Sequence, residues 1–264
     1  MAKVEEEVST AAQNAGADNA DVLARYTGPP VPTPRPHGHF LVRFWRSAVG
    51  KKWVMALSGI ILLGYVLAHM VGNLKVFLGK SYINLYGEWL RTLGEPALPR
   101  TVVLWGMRIV LIAAFAGHII AAYQLTRMNQ KARPTKYQSK RDYVAANFAS
   151  RTMRWTGVIV ALFIVFHLLD LTWGSANPHF VRGDPYDNLF YSFERVPVAI
   201  AYIVAMFALG IHIFHGAWSM FQSLGLNNPR WNLWRRYFAI AFAVVITVGN
   251  VSMPLLITTG VVTR

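Results

Sequence analysis

Residues 196–221 read VPVAIAYIVAMFALGIHIFHGAWSMF and contain no Lys, Arg, Asp or Glu. A hydrocarbon core of about 30 Å needs roughly 20 helical residues to cross it, and this stretch exceeds that length. Pro197 suits a first helical turn, where the missing N–H would have had no intrahelical partner. Membrane barrels alternate apolar and polar residues, whereas this run is continuously apolar, so it predicts a transmembrane helix. Four further runs have the same character. They lie at about Trp53–Leu74, Val102–Leu125 with the single charge Arg108, Trp155–Trp173, and Phe238–Val262 with a kink expected at Pro254. The third run ends at the breaker sequence Gly174-Ser175-Ala176-Asn177-Pro178, and Asp170 is the one carboxylate placed within a span. The predicted fold class is all-α: an integral membrane bundle of five transmembrane helices.

The composition agrees. Of 264 residues, 54% are hydrophobic and only 14% charged, against about 25% charged in soluble domains. The net charge of +14 would suit nucleic acid if the basic residues clustered on a soluble fold. Here they sit between the apolar runs. Residues 1–52, the loop between spans two and three, and the loop between spans four and five together hold 18 Lys/Arg, while the opposite side holds six. The positive-inside rule therefore puts the N-terminus in the cytoplasm and the C-terminus outside, as expected for a multi-pass protein of the inner (cytoplasmic) membrane. This bias accounts for the charge without nucleic acid. The absence of cysteine excludes disulfides, thiolate metal sites, Cys-ligated iron–sulfur clusters and covalent c-type haem within this chain.

Residues 1–40 differ from the rest. They carry Glu5, Glu6, Glu7, Asp18 and Asp21, then a run through Pro29, Pro30, Pro32, Pro34 and Pro36, and read as a disordered cytoplasmic tail. With no apolar segment before Phe40, the tail is not a secretory signal. Residues 41–264 form the expected membrane domain.

Histidines point to the function. His69, His118, His167, His212 and His215 lie inside predicted spans, where an ionisable side chain is costly and marks a functional site by default. The competing reading is an interhelical hydrogen bond. The first four spans each carry a histidine and the fifth carries none. Counted from the flanking basic residues, His69 and His167 fall in the outer halves of their spans, and His118 and His212 in the inner halves. The two levels should be separated by on the order of 10 Å. A small internal repeat also appears: Ser58-Gly59 precedes His69 with the spacing at which Thr156-Gly157 precedes His167. It is taken as support for the outer pair, since small residues let a helix or a flat macrocycle approach the backbone.

Two histidines facing each other at one level of a bundle are what a b-type haem requires. Zinc normally takes four protein ligands, or three plus water, and only two histidines are present per level. Two stacked bis-histidine haems are therefore expected, forming an electron wire. His215 follows His212 by three residues, so either is a candidate ligand. Arg108, expected to be buried in the outer half of span two, is a candidate partner for a backbone carbonyl or a haem propionate. His37, His39 and His179 are expected to be solvated. Tyr86, Glu88 and Arg91 are surface residues with a weaker claim as polar contacts near the outer level.

Two segments resemble a known family. Ser47-Ala48-Val49-Gly50-Lys51-Lys52-Trp53-Val54-Met55-Ala56-Leu57-Ser58-Gly59 resembles the start of the first helix of the cytochrome b subunit of succinate dehydrogenase, in the single-chain, five-helix, two-haem type shared with some fumarate reductases. His212-Ile213-Phe214-His215-Gly216-Ala217-Trp218-Ser219-Met220-Phe221-Gln222-Ser223-Leu224-Gly225 resembles that family's fourth helix, and the likeness extends over about residues 44–262. The resemblance implies His69 with His167 as axial ligands of the outer haem iron and His118 with His212 of the inner, the pairing that charge and depth also give. In the family's fourth helix, Gly follows the ligand at +4 and an aromatic at +6; Gly216 and Trp218 hold those offsets from His212, favouring it over His215. It further implies a flavoprotein subunit with FAD that oxidises succinate, and an iron–sulfur subunit docked on the basic cytoplasmic face, particularly Arg127 to Arg154. Quinone, menaquinone by analogy, would be the acceptor. This chain would not itself oxidise succinate. Two other functions compete. One is the cytochrome b subunit of another respiratory oxidoreductase; the nitrate reductase type takes ligands from its last helix, and span five has no histidine. The other is a haem-free transporter or channel, for which intramembrane acids are scarce here.

Overall fold

The structure, a computed structural model, describes residues 39–132, 144–226 and 228–264. Most of the acidic, proline-rich tail and the middle of the basic loop after span two lie outside the described residues. Helix α1 is Phe40–Arg46, α2 Ala48–Asn73, α3 Lys80–Thr92, α4 Val102–Lys131, α5 Val144–Leu171, α6 Pro185–Phe193, α7 Val196–Ser223 and α8 Asn232–Thr258. A 3₁₀ segment, Leu74–Leu78, follows α2. No strand occurs among the described residues. Five helices are long and apolar enough to cross a membrane: α2, α4, α5, α7 and α8. The chain is a multi-pass membrane protein.

The five spans lie where expected, and helix extends beyond the apolar run at the start of α2, the end of α4 and the starts of α5 and α8, while α5 ends at Leu171 and α8 at Thr258, short of the expected Trp173 and Val262. Ser47 starts α2: its hydroxyl accepts from the Gly50 amide at 2.9 Å and donates to the Phe44 carbonyl at 2.7 Å. Helix α8 runs unbroken through the buried Pro254. Nearby, Asn250 Nδ2 donates to the Ile246 carbonyl at 2.8 Å.

Helix α7 is central, packing along α8, α5 and α2, while α4 packs along α2. Among the described residues, helices α4 and α5 share no extended contact. The bundle is thus an α2–α4 pair and an α5–α7 pair joined through α2, α7 and α8. Small residues set the close approaches. A Cβ on Gly249 of α8 would collide with Met70 of α2, and one on Gly210 of α7 with Thr247 of α8. Met70, Ile213, Ala243 and Ile246 form the core where α2, α7 and α8 meet.

Two short helices that sequence periodicity did not reveal cap one end. Asp184 begins α6, accepting from the Asp187 amide at 3.1 Å, with Pro185 in the first turn. Asn84 of α3 donates to Asp184 Oδ1 at 2.9 Å and accepts from the Tyr186 amide at 3.2 Å. Lys80 reaches both Asp184 and Asp187 at 2.7 Å. The Asp184 carboxyl is partly desolvated, which acts to raise its pKa, but hydrogen bonds from Lys80, Asn84 and the Asp187 amide outweigh this and hold it below the usual carboxylate range; the two carboxylates hold Lys80 above the usual lysine range. Beneath the cap, Val76, Ile83, Leu189, Phe190, Phe193 and Met253 close an apolar cluster.

Candidate functional site

The four histidines come together in the expected pairs. The rings of His69 on α2 and His167 on α5 have centroids 5.8 Å apart, and those of His118 on α4 and His212 on α7 are 6.4 Å apart. Each pair bridges from the α2–α4 half of the bundle to the α5–α7 half. An imidazole nitrogen binds a transition metal at about 2 Å, and the ring centre lies about 1 Å further back. Two rings sharing one metal therefore have centres on the order of 6 Å apart, and both separations fit. The interplanar angles of 87° and 64° also fit, because two planes can contain one axis at any dihedral angle. Among the described residues no group of three or more His, Cys, Asp or Glu is placed to hold a metal ion. The donors come in twos, as a bis-histidine haem needs.

Hydrogen bonds orient the second pair. Ser58 Oγ donates to the Val54 carbonyl at 2.7 Å and lies 3.2 Å from His118 Nδ1. Thr156 Oγ1 donates to the Thr152 carbonyl at 2.9 Å and lies 3.4 Å from His212 Nδ1. With each hydroxyl proton used within its own helix, the oxygen is left to accept Nδ1–H. That assignment protonates Nδ1 and leaves Nε2 as the free donor, the tautomer a metal ligand needs. Backbone follows the same logic: a Cβ on Gly59 would stand 3.7 Å from His118 Cε1, and one on Gly157 3.4 Å from His212 Cε1.

These contacts correct one expectation. The Ser58-Gly59 and Thr156-Gly157 repeat serves the His118–His212 pair, not the His69–His167 pair whose histidines it precedes. Ser58 lies 11 residues from His69, and Thr156 lies 11 from His167. At about 1.5 Å per residue that places the two levels on the order of 15 Å apart rather than 10 Å. The repeat therefore reaches the next level along the helix.

The first pair is held differently. His167 Nδ1 lies 3.3 Å from the Tyr202 hydroxyl, which donates to Asp170 Oδ2 at 3.0 Å; Arg195 Nη2 donates to Asp170 Oδ1 at 2.5 Å. His69 stacks on Tyr65 with centroids 5.3 Å apart, and its Nε2 lies 3.2 Å from Asn73 Nδ2. That amide contact must be exchanged before His69 can donate through Nε2.

The remaining candidates fall elsewhere. His215 is buried against Phe214, and its Nδ1 has no hydrogen-bond partner. It is His212, not His215, that faces His118. Arg108 is exposed rather than buried, because α4 packs along α2 and turns its other faces outward; its guanidinium lies over the Trp105 ring at 4.9 Å. Tyr86 rests against Gly72 under Lys75, whose Nζ is 5.6 Å from the ring centre. Glu88 pairs with Arg91 at 3.5 Å and also with Arg100. Sequence reasoning missed the orienting residues Ser58, Thr156 and Tyr202. For the first two, the repeat was the available signal.

No curated protein and no solved structure matches this chain. Residues 126–250, spanning the end of α4, all of α5 to α7 and most of α8, match the family model described as the succinate dehydrogenase/fumarate reductase transmembrane subunit. Members of that family are membrane subunits of these oxidoreductase complexes and associate with their other subunits. The match covers just under half of the chain, and it includes two of the four apolar helices whose histidine order first pointed there, so over these residues the chain is similar to the succinate dehydrogenase/fumarate reductase transmembrane subunit family.

Proposed function

We propose that this chain is the membrane-anchor cytochrome b subunit of a succinate:quinone oxidoreductase, of the single-chain, two-haem type, with its N-terminus in the cytoplasm. The observation that carries the reading is the two histidine pairs, 5.8 and 6.4 Å between ring centres, each bridging the two halves of one bundle. Two b haems, when bound, supply one-electron carriers at two depths. His69 with His167, and His118 with His212, would hold them. Ser58, Thr156 and Tyr202 set the ring tautomers, and the apolar faces of α2, α4, α5 and α7 exclude water. Arg108 is the candidate cation for a propionate of the haem at His69 and His167.

The partner subunits supply the chemistry that this chain lacks. An FAD-bearing flavoprotein oxidises succinate, and an iron–sulfur subunit docks on the basic cytoplasmic face. There Arg127 and Lys131 at the end of α4, with Lys51, line a shallow hollow of about 350 Å³. Electrons leave to quinone, by resemblance menaquinone. The assembled complex should contain two b haems per copy of this chain, read by pyridine haemochromogen on a detergent-purified preparation. An assembled complex with no haem overturns the reading and returns the histidines to helix packing.

A further inference from the structure

Asp170 is fully buried near the end of α5, where an unpaired carboxylate would be costly. Arg195 resolves this by donating to Oδ1 at 2.5 Å, and the same guanidinium donates to the carbonyls of Ala176 at 2.8 Å and Tyr191 at 3.1 Å. The cation is thereby fixed in place. The other carboxylate oxygen, Oδ2, accepts the Tyr202 hydroxyl at 3.0 Å. With its O–H directed at Asp170, the phenol oxygen turns its lone pairs to His167 Nδ1, 3.3 Å away. Tyr202 is itself locked in place: it is 5% exposed and packed edge-on by Phe163 and Phe193 at 4.9 and 5.0 Å.

The two histidine pairs therefore see different second partners. His118 and His212 face hydroxyls whose protons go to neutral backbone carbonyls. His167 faces a phenol polarised by a carboxylate. A chain of hydrogen bonds that ends on a charge strengthens each member. An imidazole whose Nδ1–H is drawn toward negative charge is a more basic donor at Nε2, and a more basic axial ligand favours oxidised over reduced iron.

We propose that Tyr202 is a positioning residue that transmits the charge of Asp170 to His167, and so lowers the reduction potential of the haem that His167 shares with His69. This rests on the two-haem reading above. Removing the phenol hydroxyl takes the acceptor from Nδ1–H, so the potential of that centre should rise. Hydrogen-bond partners of this kind are typically worth 10–100-fold in metal affinity or activity, and a redox shift at the low end of that range is expected here. The lower figure, a tenfold change in the equilibrium constant for one-electron reduction, corresponds to about 59 mV.

The test is a redox titration of the purified complex, followed by haem absorbance and low-temperature electron paramagnetic resonance, for the native chain, Tyr202→Phe and Asp170→Asn. The expected result is that Tyr202→Phe raises one haem midpoint about tenfold in equilibrium constant and leaves the other in place. Asp170→Asn, which keeps the phenol but removes the charge behind it, should shift the same haem in the same direction by less. Two unchanged midpoints in variants that retain both haems overturn the proposal. So does loss of the haem or of the complex in both variants, which would assign the network to the fold alone. A native complex without haem instead overturns the two-haem reading itself, before Tyr202 is at issue.

Discussion

Ser58 on α2 and His118 on α4 meet at 3.2 Å between Oγ and Nδ1, and Thr156 on α5 meets His212 on α7 in the same way at 3.4 Å. Two helices that give no histidine to this pair thus decide which nitrogen of each imidazole is free. Ser58→Ala removes the acceptor, although the Met55 carbonyl remains beside the ring. Affinity for the haem at that level should fall about tenfold, the low end for an orienting partner. Ser58→Thr should restore it. Haem content measured across a dilution series checks both.

His212 and His215 are three residues apart and have different neighbours. On the two-haem reading, His212→Ala should cost the complex one haem. His215→Ala should leave both, because the ring it removes is buried against Phe214 and does not face His118. Haem stoichiometry of the two variants separates them; equal losses would make His215 a ligand as well.

Arg195 neutralises a carboxylate that has no access to water. Arg195→Ala leaves that charge buried and unpaired. Breaking a buried pair from one side typically costs about 3–5 kcal/mol, and the partial exposure of Arg195 points to the lower figure. Adding Asp170→Asn to Arg195→Ala should recover part of the loss. Thermal unfolding in detergent of both single variants and the double variant measures the coupling.

The Lys80–Asp184 contact ties α3 to α6 and depends on pH. Asp184 titrates below its ordinary range when folded, so its contribution is present above that range and is lost as pH falls through the depressed value. Lys80 is shifted upward, so its contribution is present below the ordinary lysine range and is lost only as pH rises through the raised value. The cap should therefore be held across neutral pH and loosen in acid. Hydrogen exchange of α3 and α6 backbone amides against pH reads this, and Asp184→Asn should remove much of the acid dependence.

The spans and the pairing of the histidines were legible because lipid imposes a long apolar period and charge asymmetry sets depth. Helices α3 and α6 were not, because each is short and amphipathic, with its partners far away in the chain. Lys80 and Asp187, for example, are 107 residues apart. The exposure of Arg108 was illegible for a related reason: composition puts it within a span, but only the packing of α4 along α2 says which face it occupies. The Ser58 and Thr156 repeat was visible, but its meaning required knowing that helices cross at that level. The Tyr202 bridge left no pattern, since a single phenol on an apolar helix looks like any other aromatic residue.

Each of α2 and α5 carries a histidine of one pair and, 11 residues away, a hydroxyl that orients the other. A straight helix is therefore a ruler with two marks, and the bundle contains two such rulers. Electron transfer between fixed centres is steeply sensitive to their separation. With the spacing written into hydrogen-bonded backbone rather than into loops, insertions or deletions at the helix ends leave it unchanged. A single residue inserted between Ser58 and His69 would instead turn one mark by about 100° relative to the other and uncouple both levels at once.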